Sequence, residues 1–235
     1  MMALHNISVI DVSVASGRAI LEELKNLTQL RKLGVSGVKQ VNCKEFCSAI
    51  SGHPHLKTLS VWLDKNQTGC LDAISPPPEE LQSFKLYGSV DKLPAWMKLL
   101  SNLSKLKLNV DMITQDDVDL LTHLPRLNFL YLCSKEFHYG ELRFRGNFRQ
   151  LRVLEIDCNS RLQSVTFQHH PVMPHLEVLK IHCSNVSSLK FYGLQHLSKL
   201  REVSLSGSYD EKVKNDLKSQ LDKHPREIKP VLKWN

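Results

Sequence analysis

Two cysteines occupy equivalent places in near-identical octets, LRVLEIDC over residues 151–158 and LEVLKIHC over residues 176–183, and His182 precedes the second. Thiolate and imidazole are zinc donors, so Cys158, Cys183 and His182 could supply three of the four ligands that a structural zinc site requires. A second group of imidazoles, His169, His170 and His175, brackets Pro171 and Pro174 nearby. Position argues against metal in both. Each cysteine stands two residues past an apolar anchor, Ile156 or Ile181, so in an extended strand it turns to the anchor's side while His182 turns away. A cysteine facing a packed interior behaves as a small hydrophobe. The three histidines fall in a return loop. No metal or other cofactor is therefore expected. No nucleophile, base and orienting residue recur at a spacing that supports catalysis, so the chain is not expected to be an enzyme.

The octets belong to a larger pattern. The frame L-x-x-L-x-L occurs nine times, at Ile7/Ile10/Val12, Leu30/Leu33/Val35, Leu56/Leu59/Val61, Leu81/Phe84/Leu86, Leu103/Leu106/Leu108, Leu127/Leu130/Leu132, Leu151/Leu154/Ile156, Leu176/Leu179/Ile181 and Leu200/Val203/Leu205. All 27 positions are apolar against a 42% background, and successive units start 22 to 26 residues apart. That period is the signature of a leucine-rich repeat, in which each unit gives one short parallel strand and a return segment, and no unit buries its apolar edge alone. The expected fold is an α/β solenoid of about nine irregular repeats over residues 1–207, with a parallel concave sheet. The ninth position of the unit, where an Asn usually serves the turn, reads Ala15, Val38, Asp64, Ser89, Asp111, Lys135, Asn159, Ser184 and Ser208, so irregular turns are expected. Arg18 to Asn26 has helical periodicity, whereas the run from Asn66 to Pro78 cannot be helical throughout because it ends in three prolines. A capping box over Ser208–Glu211, with Val213, Leu217 and Leu221 at helical spacing and Pro225 as a stop, predicts a capping helix over 208–224 and a tail over 225–235. At the other end Leu4 and Ile7 already belong to a repeat, which suggests more protein ahead of residue 1.

Composition sets the compartment and partner classes. The 235 residues include 23% charged, with no 18-residue apolar run and no basic-then-apolar leader, so no membrane span is expected and the protein is read as cytoplasmic. Five N-x-S/T sequons, at Asn6, Asn26, Asn66, Asn102 and Asn185, are read as chance on that basis. The six cysteines form no compact framework and fit a reducing compartment without disulfides. The net charge of +7 arises from 31 basic residues scattered among 24 acidic ones, so no nucleic-acid partner is expected.

Alternation points the third, fifth and seventh positions of each unit to the concave face. Units three to six bring Trp62, Tyr87, Phe129 and Tyr131 together there with Lys85, Lys105 and Lys107. Aromatic and basic residues massed on an exposed surface have the composition of a protein-binding hot spot, here for a ligand of acidic character.

Several stretches carry a narrower resemblance: LKNLTQLRKLGVSGV (24–38), LPAWMKLLSNLSKLKL (93–108), LTHLPRLNFLYL (121–132), FRQLRVLEIDCNSRLQSVTF (148–167), MPHLEVLKIHC (173–183), GLQHLSKLREVSLSG (193–207) and the closing YDEKVKNDLKSQLDKHP (209–225). Together they resemble the C-terminal leucine-rich repeat region of cereal coiled-coil nucleotide-binding disease-resistance proteins. The resemblance implies a recognition domain of an intracellular plant immune receptor. It would bind pathogen effectors or its own receptor's nucleotide-switch domain, with oligomeric state open. This chain contains no G-x-x-x-x-G-K-[ST], so it offers nothing to cradle a nucleotide phosphate. The G-x-I-P signature of extracellular plant repeats is also absent. The alternatives are a substrate-recognition adaptor of a ubiquitin ligase and a free-standing protein-binding scaffold.

Overall fold

The computed structural model describes residues 4–64, 69–158, 162–168, 171–225, 227 and 229–234, with 184–187 described in backbone path only. Asn66, Asn159, His169 and His170 lie outside the described residues, as does the side chain of Asn185. Among the described residues there are thirteen strands: β1 Asn6–Asp11, β2 Lys32–Val38, β3 Thr58–Leu63, β4 Ser83–Gly88, β5 Lys105–Ile113, β6 Phe129–Phe137, β7 Glu141–Phe144, β8 Val153–Cys158, β9 Ser164–Phe167, β10 Val178–Ser187, β11 Lys190–Tyr192, β12 Glu202–Tyr209 and β13 Val231–Trp234. Ten of them form one parallel sheet in the order β1-β2-β3-β4-β5-β6-β8-β10-β12-β13. No closure links its first and last strands, as befits a solenoid rather than a barrel.

The repeat frame predicts the core of this sheet. In units two to nine every anchor of the frame is at most 2% exposed. The ladder keeps them level: Leu130, Leu154 and Leu179 are register partners in turn, as are Leu132, Ile156 and Ile181. Stacked leucines of neighbouring units thus bury one another, which a single unit cannot do.

Unit one departs from the frame. Ile7 pairs with Leu33 and Ile10 with Val35 across a bulge, so Ile10 and Val12 do not hold the expected fourth and sixth places. The extra residue displaces the alternation, and Val9 is 54% exposed. Asp11, rather than Ser13, is then level with Ser36.

The return segments differ by region. Helices α1 Gly17–Asn26, α2 Cys43–Ile50 and α3 Gln115–Leu121 cover the first six strands together with a 3-10 turn at Ala95–Leu99. Helix α1 starts one residue before the expected Arg18 and buries Leu21 and Leu24. Helix α3 opens with a capping box between Thr114 and Asp117. Thr114 accepts from the amide of Asp117, and the Asp117 carboxylate accepts from Thr114 N, Thr114 Oγ1 and the amide of Leu93 at 2.7 to 2.9 Å. Cys43 and Cys70 are joined by a disulfide, contrary to the all-thiol expectation; their places 27 residues apart fall in adjacent returns.

From β6 onward the return layer contains a second parallel sheet, β7-β9-β11, each strand three or four residues long. Its inward residues Phe144, Phe167 and Phe191 are among the largest fully or nearly fully buried side chains, and the Phe144 and Phe167 rings stack 5.4 Å apart. Both edges are blocked in the same manner. Gln115 of α3 donates to the outward carbonyl of Arg143 on β7, and Gln220 of the terminal helix donates to that of Phe191 on β11. Each amide also donates to a carboxylate one helical turn away, Asp119 or Asp216.

The terminal helix α4, Glu211–Asp222, buries Val213, Leu217 and Leu221 as predicted. It begins later than the expected boundary at 208. Ser208 and Tyr209 still belong to β12, Asp210 is the N-cap, and no side chain caps the helix, so the predicted capping box does not form. Beyond it, Val231–Trp234 of the expected tail pairs with β12 as a tenth rung. The frame missed this rung because Lys229 stands where a leucine would begin the unit.

Strand ends are shaped locally. At the eighth position Gly88 and Gly207 have φ of +115° and +104°, and a Cβ on Gly207 would lie 1.8 Å from the Cys183 carbonyl oxygen. With that φ and that close approach, only glycine fits at Gly207. In another unit Ser134 fills this place, 1% exposed, and its hydroxyl donates to the carbonyl of Glu136 at 2.6 Å, with that of Asp111 3.2 Å away. Asn42, 5% exposed, donates to the carbonyls of Val12 and Gly37 and accepts from Lys39 N. The turns are therefore served by different residues from unit to unit.

Candidate functional site

The open face of the ten-stranded sheet is a grid. Neighbouring strands lie about 4.8 Å apart and same-face residues about 6.6 Å apart along each strand. The fifth positions run Ser60, Lys85, Lys107, Tyr131, Glu155, Lys180 and Ser204 from β3 to β12. The seventh positions run Trp62, Tyr87, Asn109, Cys133, Asp157, His182 and Ser206. In the third column Lys105 is level with Phe129. All seven candidate residues therefore stand on four successive strands of one face.

Several of them touch. The Trp62 and Tyr87 rings are stacked, centroids 4.9 Å apart and 3° from parallel. The Lys107 ammonium lies 5.4 Å from the ring centroids of both Phe129 and Tyr131. Such cation–π contacts hold a lysine in place without neutralising it. Tyr131 donates its hydroxyl to Asp157 Oδ2 at 3.0 Å. Burial, the neighbouring Cys133 and the Asp157 carboxylate raise the phenol well above its ordinary range, so it stays a donor. Trp62, Lys85, Tyr87, Lys107, Phe129 and Tyr131 are half-buried, and Lys105 is exposed.

The charges on this face divide sharply. Lys180 pairs with Glu155 at 2.8 Å and Lys233 with Glu202 at 2.6 Å. Among the described residues no carboxylate pairs with Lys85, Lys105 or Lys107. Lys85 and Lys107 are moreover direct register partners, an arrangement that costs stability.

The cysteines and histidine that raised the metal question separate as alternation requires. Cys158 and Cys183 are 1% and 2% exposed with their sulfurs 2.7 Å apart, and His182 lies on the open face, where its Nδ1 is 2.9 Å from Ser206 Oγ. Cys133 is an exception to the pattern: it holds a seventh position yet is buried, covered from the open face. Asp157, Glu155 and Lys180 were not singled out from sequence, although their fifth and seventh positions in the frame place them on this face. With Tyr131, His182, Ser204 and Ser206 they line a shallow hollow of about 270 Å³ beside the aromatic and basic patch.

Residues 1–229 match the family described as a leucine-rich repeat region. The chain belongs to the leucine-rich repeat family. This leucine-rich repeat chain is similar to disease resistance protein PIK6-NP of Oryza sativa subsp. japonica, 28% identical over 233 residues that cover 87% of the chain and 22% of that protein. Disease resistance protein Pik-2 of the same organism is 27% identical over 250 residues, 89% of this chain and 24% of that protein. Disease resistance protein RPM1 of Arabidopsis thaliana is 23% identical over 190 residues, 79% and 20% respectively. The chain spans about a fifth to a quarter of the length of these relatives. Among the described residues no helix is long and apolar enough to cross a membrane.

Proposed function

We propose that this leucine-rich repeat chain is the protein-recognition part of a plant immune receptor working in the cytoplasm. Its open sheet face binds pathogen effectors, its own receptor's nucleotide-switch domain, or both, in the defense response. One observation carries the reading: three lysines without carboxylate partners among the described residues, two of them level with each other, stand beside a stacked Trp62–Tyr87 pair. A fold gains nothing from setting like charges side by side; an acidic protein surface would offset that repulsion and cover the rings. The work is binding rather than turnover. Similarity to disease-resistance proteins over most of the chain supports the setting.

The test is a double variant, Trp62→Ala with Tyr87→Ala, compared with the parent chain by surface plasmon resonance against candidate effectors and a nucleotide-switch domain. Anchors of this kind are worth about 2 kcal/mol or more each, so the pair should weaken binding at least a hundredfold. Unchanged affinity in a folded double variant rejects the assignment.

A further inference from the structure

The arrangement of the patch says more about the ligand than that it is acidic, granted the recognition face proposed above. The Trp62–Tyr87 stack lies on β3 and β4 at the seventh column, and Phe129 and Tyr131 lie on β6 at the third and fifth. The lysines occupy the diagonal between them, Lys85 on β4 and Lys105 and Lys107 on β5. From the grid spacings, the two aromatic groups are roughly 15 Å apart, the reach of four or five residues of extended chain.

The geometry points to a short extended segment of a partner protein that crosses β3 to β6 diagonally, with two carboxylates flanked by large apolar side chains. One apolar residue covers Trp62 and Tyr87, the carboxylates meet Lys85, Lys105 and Lys107, and the second apolar residue lies against Phe129.

Carboxylates suit this site better than phosphate. The cations are lysines, point charges on separate grid places roughly 5 to 8 Å apart, and not an arginine fork closing on one compact anion. Separate charges match separate side chains along a peptide.

The face also limits where such a segment can lie. Past Tyr131 the fifth column presents Glu155, already joined to Lys180, and the seventh presents Asp157, joined to Tyr131. An acidic segment that slid toward β8 would meet both carboxylates. The repulsion fixes its position on β3 to β6 and favours basic residues immediately after the second apolar one.

The experiment is selection of random dodecapeptides displayed on phage against the whole 235-residue chain, with counter-selection on the Trp62→Ala/Tyr87→Ala variant. Fluorescein-labelled copies of the recovered peptides are then measured by anisotropy. The expected peptides carry two acidic residues between apolar residues four or five places apart. Their binding should weaken about tenfold or more when the acids become Gln or Asn, and as much again with Lys85→Gln/Lys107→Gln. Raising salt from 0.05 to 0.5 M should weaken it further. Peptides that depend on Trp62 and Tyr87 but show no acidic enrichment, or bind equally after acid-to-amide change, overturn this inference and leave the recognition face standing. Preference for a phosphoserine over the two carboxylates also overturns it. If no peptide depends on the two aromatics, both the inference and the proposed face fall. Circular dichroism of each variant shows whether a loss of binding comes from unfolding.

Discussion

The two halves of the molecule return from strand to strand with different materials. In the N-terminal half, helices and a disulfide lie behind the sheet, and the open face in front carries aromatics and lysines that have no carboxylate partner among the described residues. In the C-terminal half, a second sheet with stacked phenylalanines lies behind, and the charges in front are joined in pairs. Among the described residues the lysines on one half of the face have no carboxylate beside them, while those on the other half are joined to Glu155 and Glu202. A repeat scaffold can thus concentrate packing in some units and leave others free to bind.

The comparison can be broken most severely behind the C-terminal half. Phe167→Ala should cost about 3–5 kcal/mol, because the ring is 1% exposed and stacked on Phe144, and a cavity remains. Urea unfolding measures it, and the binding of the folded fraction should not change. In the N-terminal half the costliest polar loss should be Asp117→Ala, about 1–3 kcal/mol, since the 3%-exposed carboxylate receives the amides of Leu93 and Thr114. Glu155→Gln in the paired half should change stability by no more than about 1 kcal/mol, as expected of an ion pair with the exposed Lys180 at the surface. If it changes more, the front of the C-terminal half contributes to folding and the contrast narrows.

The smallest effect is that of pH. His53 is 4% exposed, and burial lowers its pKa below the ordinary 6.5, partly offset by the carbonyls of Ala49 and Leu24. The unfolded chain therefore takes up a proton that the folded one refuses, and stability falls as pH drops below about 6.5 toward the folded pKa. Chemical denaturation at pH 7.5 and 5.5 should show a steeper decline for the parent than for His53→Gln.

Much of this architecture could be read directly from the chain. The anchors Leu30 to Leu205 recur with a fixed period, and a one-place slip would turn each buried leucine outward, so the register had little freedom. Likewise all seven candidate residues reached one face because alternation is a property of the backbone. What escaped was short, irregular or long-range. Leu142/Phe144, Val165/Phe167 and Leu189/Phe191 repeat an apolar alternation at 23- and 24-residue intervals, a usable signal for the second sheet, but segments of three or four residues are hard to tell from loop. The bulge in unit one shifts its frame, and Lys229 hides the tenth rung. The joining of Cys43 to Cys70 and of Lys180 to Glu155 depends on which returns and strands become neighbours, a matter of three-dimensional placement.

The glutamines at the edges of the small sheet bear on how such a molecule can change in length. A backbone carbonyl that already accepts from Gln115 or Gln220 is not open to a further strand, and Asp119 and Asp216 keep each amide in place. Duplication of a unit between β7 and β11 could insert a strand and lengthen the second layer, whereas units added outside the two glutamines would leave it at three. Copy number can then vary across the molecule while the rigid block behind its C-terminal half is enlarged only from within.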